Sequence, residues 1–140
     1  MKYYHSEAGT LAVSALFAEP GGTALISSLG LLEMQSAIAM KVRSGSLAQE
    51  AAGLLRGRLM LDIAAGAIEV YSVAEEHFIG AERLLGRHAF ARRLRTLDAL
   101  QLAVALDLHT QELVDTFVTA DQALAEAASR EGLGVIDPTH

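Results

Sequence analysis

Short β-like runs alternate with longer helical runs along this chain, and this alternation is the feature that most limits its fold. Residues 67–73 (AIEVYSV) alternate in polarity and are rich in β-branched side chains, which is typical of a strand. Residues 29–42 instead carry apolar side chains at helical spacing. Strands joined by helices form parallel sheets that are covered on both faces. The pattern therefore predicts an α/β fold of three layers, with a mainly parallel central sheet of four or five strands flanked by helices.

The predicted elements follow from apolar periodicity and from breakers such as the EPGG segment at 19–22. Ser46 and Thr96 are predicted to cap helices, and Gly66 to end one. Strands are predicted at residues 2–5, 25–28, 67–73, 116–119 and 133–136, and helices at 8–17, 29–42, 47–65, 75–85, 97–108 and 121–130.

Length and composition narrow the class of protein. The chain has 140 residues, which predicts one domain over residues 1–140. Because it has no cysteine, disulfides, thiolate zinc sites and cysteine nucleophiles are excluded. The start, MKYYHSEAGT, lacks the pattern of a signal peptide, and charges interrupt every apolar stretch before membrane-spanning length. We therefore expect a soluble, cytoplasmic protein without membrane association.

Three acidic residues stand in apolar surroundings: Glu33 in LGLLEMQSAIAM, Asp98 in RTLDALQLAVAL and Asp121 in FVTADQALAEAA. An ionised carboxylate in such a setting is costly unless it is paired, hydrogen-bonded or bound to a metal. In parallel sheets, ligands bind at the carboxyl ends of the strands, and Asp121 follows the predicted strand FVT. The simplest shared purpose is a divalent cation held by oxygen ligands.

Each of these carboxylates also has a purely structural interpretation. Asp is a favoured N-cap, so capping alone would account for Asp121. Asp98 stands in the first turn of a helix, where the helix dipole favours negative charge. Against this, Thr96 already offers a cap there, and Gln101 is the only polar neighbour on the next turn. Glu33 could simply be exposed on a half-buried helix.

Arginines are concentrated just before Asp98. Five of the eleven basic residues lie between positions 83 and 95, although the net charge of the whole chain is −6. This cluster is either a solvated helix face or a rim that grips phosphate, because the guanidinium fork matches phosphate oxygens. On the second interpretation, Arg92, Arg93 and Arg95 are the residues that contact substrate. The five histidines show no metal-ligand spacing, and Asp107 has the pattern of a solvated position.

Taken in order, four segments resemble the PIN-domain family, and specifically the short VapC-type ribonuclease toxins of toxin–antitoxin pairs. They are FAEPGG (17–22), ISSLGLLEMQSAIAMKVRSGSL (26–47), LRTLDALQLAVAL (94–106) and FVTADQALAEAASREGLGVIDP (117–138). The resemblance implies a PIN-like fold and an acidic cluster that binds Mg²⁺ or Mn²⁺. Glu33, Asp98 and Asp121 match the second, third and fourth acidic positions of the family, and Thr119 matches the small hydroxyl residue beside the last one.

The first acidic position departs from the family pattern. Where the family has a hydrophobic strand followed by Asp and small residues, this chain reads HSEAGTL. Glu7 can take the place of the missing Asp if one additional residue lies before Glu19. Alternatively, the site contains three carboxylates.

The resemblance implies a metal-dependent endoribonuclease that hydrolyses phosphodiester bonds with a metal-activated water. Its expected partners are an RNA substrate, a cognate antitoxin protein and a second copy of the chain in a homodimer. The alternative is a catalytically impaired PIN-like module for binding or assembly, which the HSEAGTL departure motivates.

Overall fold

The computed structural model describes residues 2–6 and 23–138, which contain five strands and five helices. The strands are β1 (Lys2–His5), β2 (Thr23–Ser27), β3 (Ile68–Tyr71), β4 (Thr116–Val118) and β5 (Gly134–Ile136). The helices are α1 (Ser28–Arg43), α2 (Gln49–Ala64), α3 (Glu75–His88), α4 (Thr96–Thr110) and α5 (Gln122–Arg130). The predicted helix at 8–17 and Glu7 lie outside the described residues.

All five strands form one sheet in the order β3-β2-β1-β4-β5, and every neighbouring pair is parallel. After β1 the chain builds the sheet on one side with β2 and β3, and then on the other side with β4 and β5. The strand order therefore reverses between β1 and β4, and the crevice lies at the carboxyl ends of these two strands. In parallel α/β sheets this reversal is where ligands bind.

Helices cover both faces of the sheet. On one face, Tyr4 is in register with Leu25 and Phe117, and the Tyr4 and Phe117 rings stack with their centroids 5.6 Å apart. These side chains share a buried core with residues of α3, α4 and α5. Ile26 follows Leu25 and faces the opposite side, where it packs with Ile68 and with residues of α1 and α2. The predicted α/β fold, with a parallel sheet between helical layers, is confirmed.

The ends of several helices differ from the prediction. Ser46 does not cap α2, which begins at Gln49 after Ala48; its hydroxyl instead lies 2.7 Å from that of Ser44. Thr96 is the first residue of α4 and not its cap. Gly66, with φ of 81°, ends α2 as predicted, because a left-handed backbone at this point favours glycine. Among the described residues, no helix is both long and apolar enough to cross a membrane.

Candidate carboxylate site at the carboxyl edge of the sheet

Asp121 lies immediately beyond the carboxyl end of β4. Thr119 is buried, its backbone N–H donates to the Ile136 carbonyl at 3.1 Å, and its hydroxyl oxygen accepts from the Asp121 backbone N–H at 3.1 Å. The Asp121 carboxylate oxygen Oδ1 accepts from the backbone N–H of Leu124 at 3.0 Å and so caps α5. Asp121 is therefore an N-cap, and the cap fixes the direction of its half-buried carboxylate.

Asp98 caps its own helix. Its carboxylate oxygen Oδ2 accepts from the backbone N–H of Arg95, the N-cap residue of α4, at 3.3 Å. Burial raises the pKa of the Asp98 carboxyl, the bond from Arg95 lowers it, and the negative charge of Asp121 raises it again. The effect of the Asp121 charge puts the two carboxyl groups within electrostatic reach of each other, although the residues are 23 positions apart in the sequence.

Glu33 is half-buried on α1, the helix that leaves the carboxyl end of β2. The side chain of Ser27 caps this helix by accepting from the backbone N–H of Gly30 at 2.9 Å. Burial raises the pKa of the Tyr4 hydroxyl, and the charge of Glu33 adds to that rise, which places Glu33 within electrostatic reach of the central strand.

A buried hydrogen-bond network joins the central strand to the two helices that carry Glu33 and Asp98. Gln101 is buried on α4, one turn beyond Asp98. Its amide oxygen accepts from the Tyr4 hydroxyl and from the Ser27 hydroxyl, the latter at 3.1 Å. Gln101, expected only as a polar neighbour of Asp98, thus links β1, β2 and α4 beneath the candidate site.

Gly30 permits this close approach of α1 to α4. A Cβ atom at position 30 would lie 2.8 Å from Ile26 Cγ1 and 3.1 Å from Gln101 Nε2. Any larger residue would push α1 away from the network. Gly30 therefore helps to position α1, the helix that carries Glu33.

In the described part of the chain the three carboxylates do not form a tight cluster. The charge of Asp121 raises the pKa of Asp98, whereas the charge of Glu33 raises the pKa of Tyr4, whose hydroxyl donates to Gln101 on the helix that carries Asp98. Within residues 2–6 and 23–138, the one group of three acidic or histidine side chains whose ligand atoms all lie within 4.8 Å of one another is a different one. It consists of Glu76, His77 and Asp107.

This second group lies at the start of α3 and could hold a cation. His77 is buried, its Nδ1 accepts from the backbone N–H of Ala74 at 2.8 Å, and its Nε2 lies 2.8 Å from Asp107 Oδ2. Because Nδ1 is an acceptor, Nε2 carries the proton and donates it to Asp107. A metal on Nε2 would require that proton to move to Nδ1 and would break the bond from Ala74.

The prediction that Asp107 is merely solvated was wrong, because the bond from His77 engages it and lowers its pKa. The two residues are 30 positions apart, so no local spacing could have indicated the pair. The contact arises only when α3 packs against α4.

The predicted arginine rim divides into two kinds of residue. Arg92 is largely buried: its guanidinium donates to His88 Nδ1 at 2.8 Å and pairs with Glu126 at 3.4 Å. Arg93 and Arg95 are exposed and form no ion pair with any residue that the structure describes. Contact of all three with RNA stays a prediction, and the geometry leaves Arg93 and Arg95 as the accessible pair.

Three solved structures share this fold. The chain aligns over its full length with FitAcB from Neisseria gonorrhoeae (TM-score 0.65, 16% identity, 99% of that chain covered). It aligns over 97% of its length with VapBC2 from Rickettsia felis bound to a DNA fragment from their promoter (0.64, 14%, 98%). It also aligns over its full length with FitAB bound to the IR36 DNA fragment (0.67, 17%, 96%). The fold is PIN-like.

The assignment to the VapC-type ribonuclease toxins was wrong as a family assignment. No family model matches the chain, no curated protein matches it, and identities of 14–17% to the solved structures establish a common fold alone. The short segments that suggested the family are those at which a PIN-like sheet meets its helices. At the first acidic position of the family pattern the chain reads HSEAGTL and departs from it.

Proposed function

We propose that this chain is a divalent-metal-dependent endoribonuclease whose active site contains Glu33, Asp98 and Asp121. The observation that supports the proposal is the position of Asp121 beyond the carboxyl end of β4, next to the central strand β1, with Asp98 within electrostatic reach of it. Two carboxylates with interacting charges stand there, and burial together with the neighbouring charge raises the pKa of one of them. Perturbed carboxyl groups at the ligand-binding edge of a parallel sheet are typical of functional sites.

The donor set fits a hard cation. The candidate ligands are carboxylate oxygens, which Mg²⁺ and Mn²⁺ prefer, and a positive charge would relieve the repulsion between Asp98 and Asp121. A bound divalent cation supplies Lewis-acid chemistry: it lowers the pKa of water and neutralises charge on phosphate. The Glu76–His77–Asp107 group is the competing place for a cation, although its histidine proton opposes binding.

The residues of the chain would hold and orient this site. Each aspartate uses a carboxylate oxygen to accept a backbone N–H of its own helix terminus, which fixes the rotamer before any ligand arrives. Thr119 holds the Asp121 backbone against β4, and the Gln101 network fixes the helices that carry Asp98 and Glu33. Glu7 is a further candidate ligand from the segment after β1.

Arg93 and Arg95 are proposed to contact the phosphates of the substrate. Both are exposed, and the charge of Arg95 acts on Asp98 and lowers its pKa, so this arginine lies within electrostatic reach of the proposed site. Charge neutralisation of both should weaken RNA binding and flatten its dependence on salt.

We also propose that the protein has a partner of the antitoxin kind, forms a homodimer and works in the cytoplasm. The support is the fold that this chain shares with VapBC2 and FitAB. Copurification with the product of an adjacent reading frame would test the first of these. Sedimentation of the purified chain would test the second.

The alternative function is a PIN-like binding or assembly module without catalysis. It is favoured by the spacing of Glu33, Asp98 and Asp121, whose oxygens do not all fall within 4.8 Å of one another in the part of the chain that the structure describes. This alternative predicts a folded protein that binds RNA or protein but cleaves nothing.

Cleavage of a structured RNA pool in Mn²⁺, Mg²⁺ or EDTA tests the proposal. Asp121→Asn is the matched variant, because asparagine also caps helices and should retain the bond to Leu124 while removing the charge. We expect metal-dependent cleavage by the wild type, loss of cleavage in Asp121→Asn, and unchanged cleavage in Asp107→Asn. Equal activity of wild type and Asp121→Asn would contradict the proposed site, and no activity in either would favour the alternative module.

A further inference from the structure

The loop between α3 and α4 combines positive charge with an exposed aromatic ring. Residues 87–95 (RHAFARRLR) contain four arginines and no acidic residue, in a chain whose net charge is −6. In the middle of this segment, the side chain of Phe90 is 95% exposed. A phenylalanine so far out of the core, surrounded by arginines, calls for a physical explanation.

The structure holds this loop in a fixed turn. His88 is buried; its Nδ1 accepts from Arg92 at 2.8 Å, and its Nε2 lies 2.7 Å from a carboxylate oxygen of Glu131. Arg87 pairs with the same glutamate at 3.0 Å, and Leu94 is buried in the core. With both flanks anchored, the turn at Phe90 presents its ring to solvent.

The anchoring uses two of the four arginines and leaves the other two available. Arg87 and Arg92 are engaged by Glu131, Glu126 and His88, whereas Arg93 and Arg95 are exposed without an ion pair to the described residues. Arg95 follows Phe90 by five positions, so their Cα atoms are at most ~18 Å apart. The ring therefore stands within a few nucleotides of the candidate carboxylates.

We propose that Phe90 is a stacking platform for an unpaired base of the RNA, while Arg93 and Arg95 hold the adjoining phosphates. This inference rests on the proposed function and specifies its substrate as a single-stranded segment. A base can stack on an exposed ring only when its face is free, which is the case in loops and single strands but not inside a duplex. The arginines attract the phosphate backbone of the RNA, and this attraction does not depend on the RNA sequence.

The absence of tryptophan from the chain allows a direct optical test. Phe90→Trp, placed in the Asp121→Asn background and kept in EDTA, gives a single indole whose fluorescence a stacked base quenches. The control is Phe78→Trp, because Phe78 is also exposed but lies in the first turn of α3, about 18 Å along the helix from Phe90. We expect quenching at position 90 by an unpaired oligoadenylate, little quenching by a duplex of equal length, and none at position 78.

Affinity measurements complete the test. Removing one stacking contact should weaken binding of a labelled single strand about 5- to 150-fold in Phe90→Ala, and Phe90→Tyr should restore it. Equal affinity of Phe90→Ala and wild type, or no quenching at position 90 when the strand is bound, would overturn the platform. Fluorescence at position 90 that changes with protein concentration in the absence of RNA would also overturn it, because the ring would then contact another copy of the chain.

These results are separable from the proposed function. If the wild type cleaves RNA and Asp121→Asn does not, the catalytic proposal stands whatever happens at Phe90. If neither cleaves and no strand binds, the catalytic proposal and the platform are both wrong.

Discussion

The hydroxyl of Tyr4 should contribute to the free energy of unfolding only while Gln101 is present. Tyr4 is fully buried and donates to the amide oxygen of Gln101, which also accepts from Ser27. Tyr4→Phe in the wild type removes one buried hydrogen bond and should lower the free energy of unfolding by about 1 kcal/mol. The amide oxygen keeps its bond from Ser27, so no large penalty follows.

Replacing Gln101 has a larger and different effect. Gln101→Leu leaves the hydroxyls of Tyr4 and Ser27 buried without their Gln101 acceptor, at ~1–3 kcal/mol each, so a loss of about 2–6 kcal/mol is expected. In this background, Tyr4→Phe removes a hydroxyl that has lost its partner and should cost nothing or be stabilising. The sign of the Tyr4→Phe effect therefore depends on Gln101, with a coupling energy of about 1–2 kcal/mol.

Urea denaturation of the four proteins measures this coupling, with equal slopes showing that the unfolding transitions are comparable. Tyr71→Phe is the control, because its hydroxyl donates to Glu69 at 2.8 Å and takes no part in the Gln101 network. Its cost should be the same in both backgrounds. If Tyr4→Phe also costs the same in both, the network does not join β1 to α4 energetically, and the reasoning that places Gln101 beneath the site is refuted.

Three further changes have expected outcomes. Gly30→Ala should destabilise the protein by about 1–3 kcal/mol, because the added Cβ would lie 2.8 Å from Ile26 Cγ1. Gly53→Ala on α2, where the added Cβ meets open space, should instead stabilise the protein by about 0.5–1 kcal/mol. Thermal melts that rank the two variants in the opposite order would contradict the contact at Gly30. Asp98→Asn should raise the melting temperature in EDTA at neutral pH. The pKa of Asp98 is higher in the folded than in the unfolded protein, so its protonated form stabilises the fold fully below about pH 4. This stabilisation is lost as the pH rises through the folded-state pKa, and the neutral asparagine avoids the loss. An advantage of Asp98→Asn that persists undiminished under acid would refute that assignment. Burial lowers the pKa of His5 to about 4, so stability should fall by up to ~3 kcal/mol from about pH 6.5 to pH 4, and His5→Leu should flatten this fall in a pH series of urea titrations.

The sequence was sufficient for the architecture because the relevant signals are local. Alternating β-branched runs and helical apolar spacing placed β1 and the other described strands and helices within a few residues of their observed bounds. Gly66 was recognisable as the end of α2 because helices often end at a residue with a left-handed backbone, and this conformation favours glycine. The capping errors at Ser46 and Thr96 arose because each hydroxyl residue stands one or more positions away from the true helix boundary.

The candidate site was less predictable because its contacts are nonlocal. The apolar settings of Asp98 and Asp121 suggested that they act together, which stays a prediction; the charge of Asp121 contributes to the raised pKa of Asp98. Nothing in the sequence indicated that Gln101 would accept from Tyr4, 97 positions away, or that Arg92 would be used to hold His88. Such partners are determined by how the helices pack on the sheet.

The measurement that tests the central claim most directly is a calorimetric titration of Mn²⁺ into the wild type, Asp98→Asn and Asp107→Asn. Asparagine at position 98 can still accept the Arg95 N–H, so this variant removes charge from the candidate site with little change in the helix terminus. The account predicts that Mn²⁺ binding is lost or at least tenfold weaker in Asp98→Asn and unchanged in Asp107→Asn. Binding that survives in Asp98→Asn and disappears in Asp107→Asn would place the cation at the start of α3 and contradict the proposed carboxylate site.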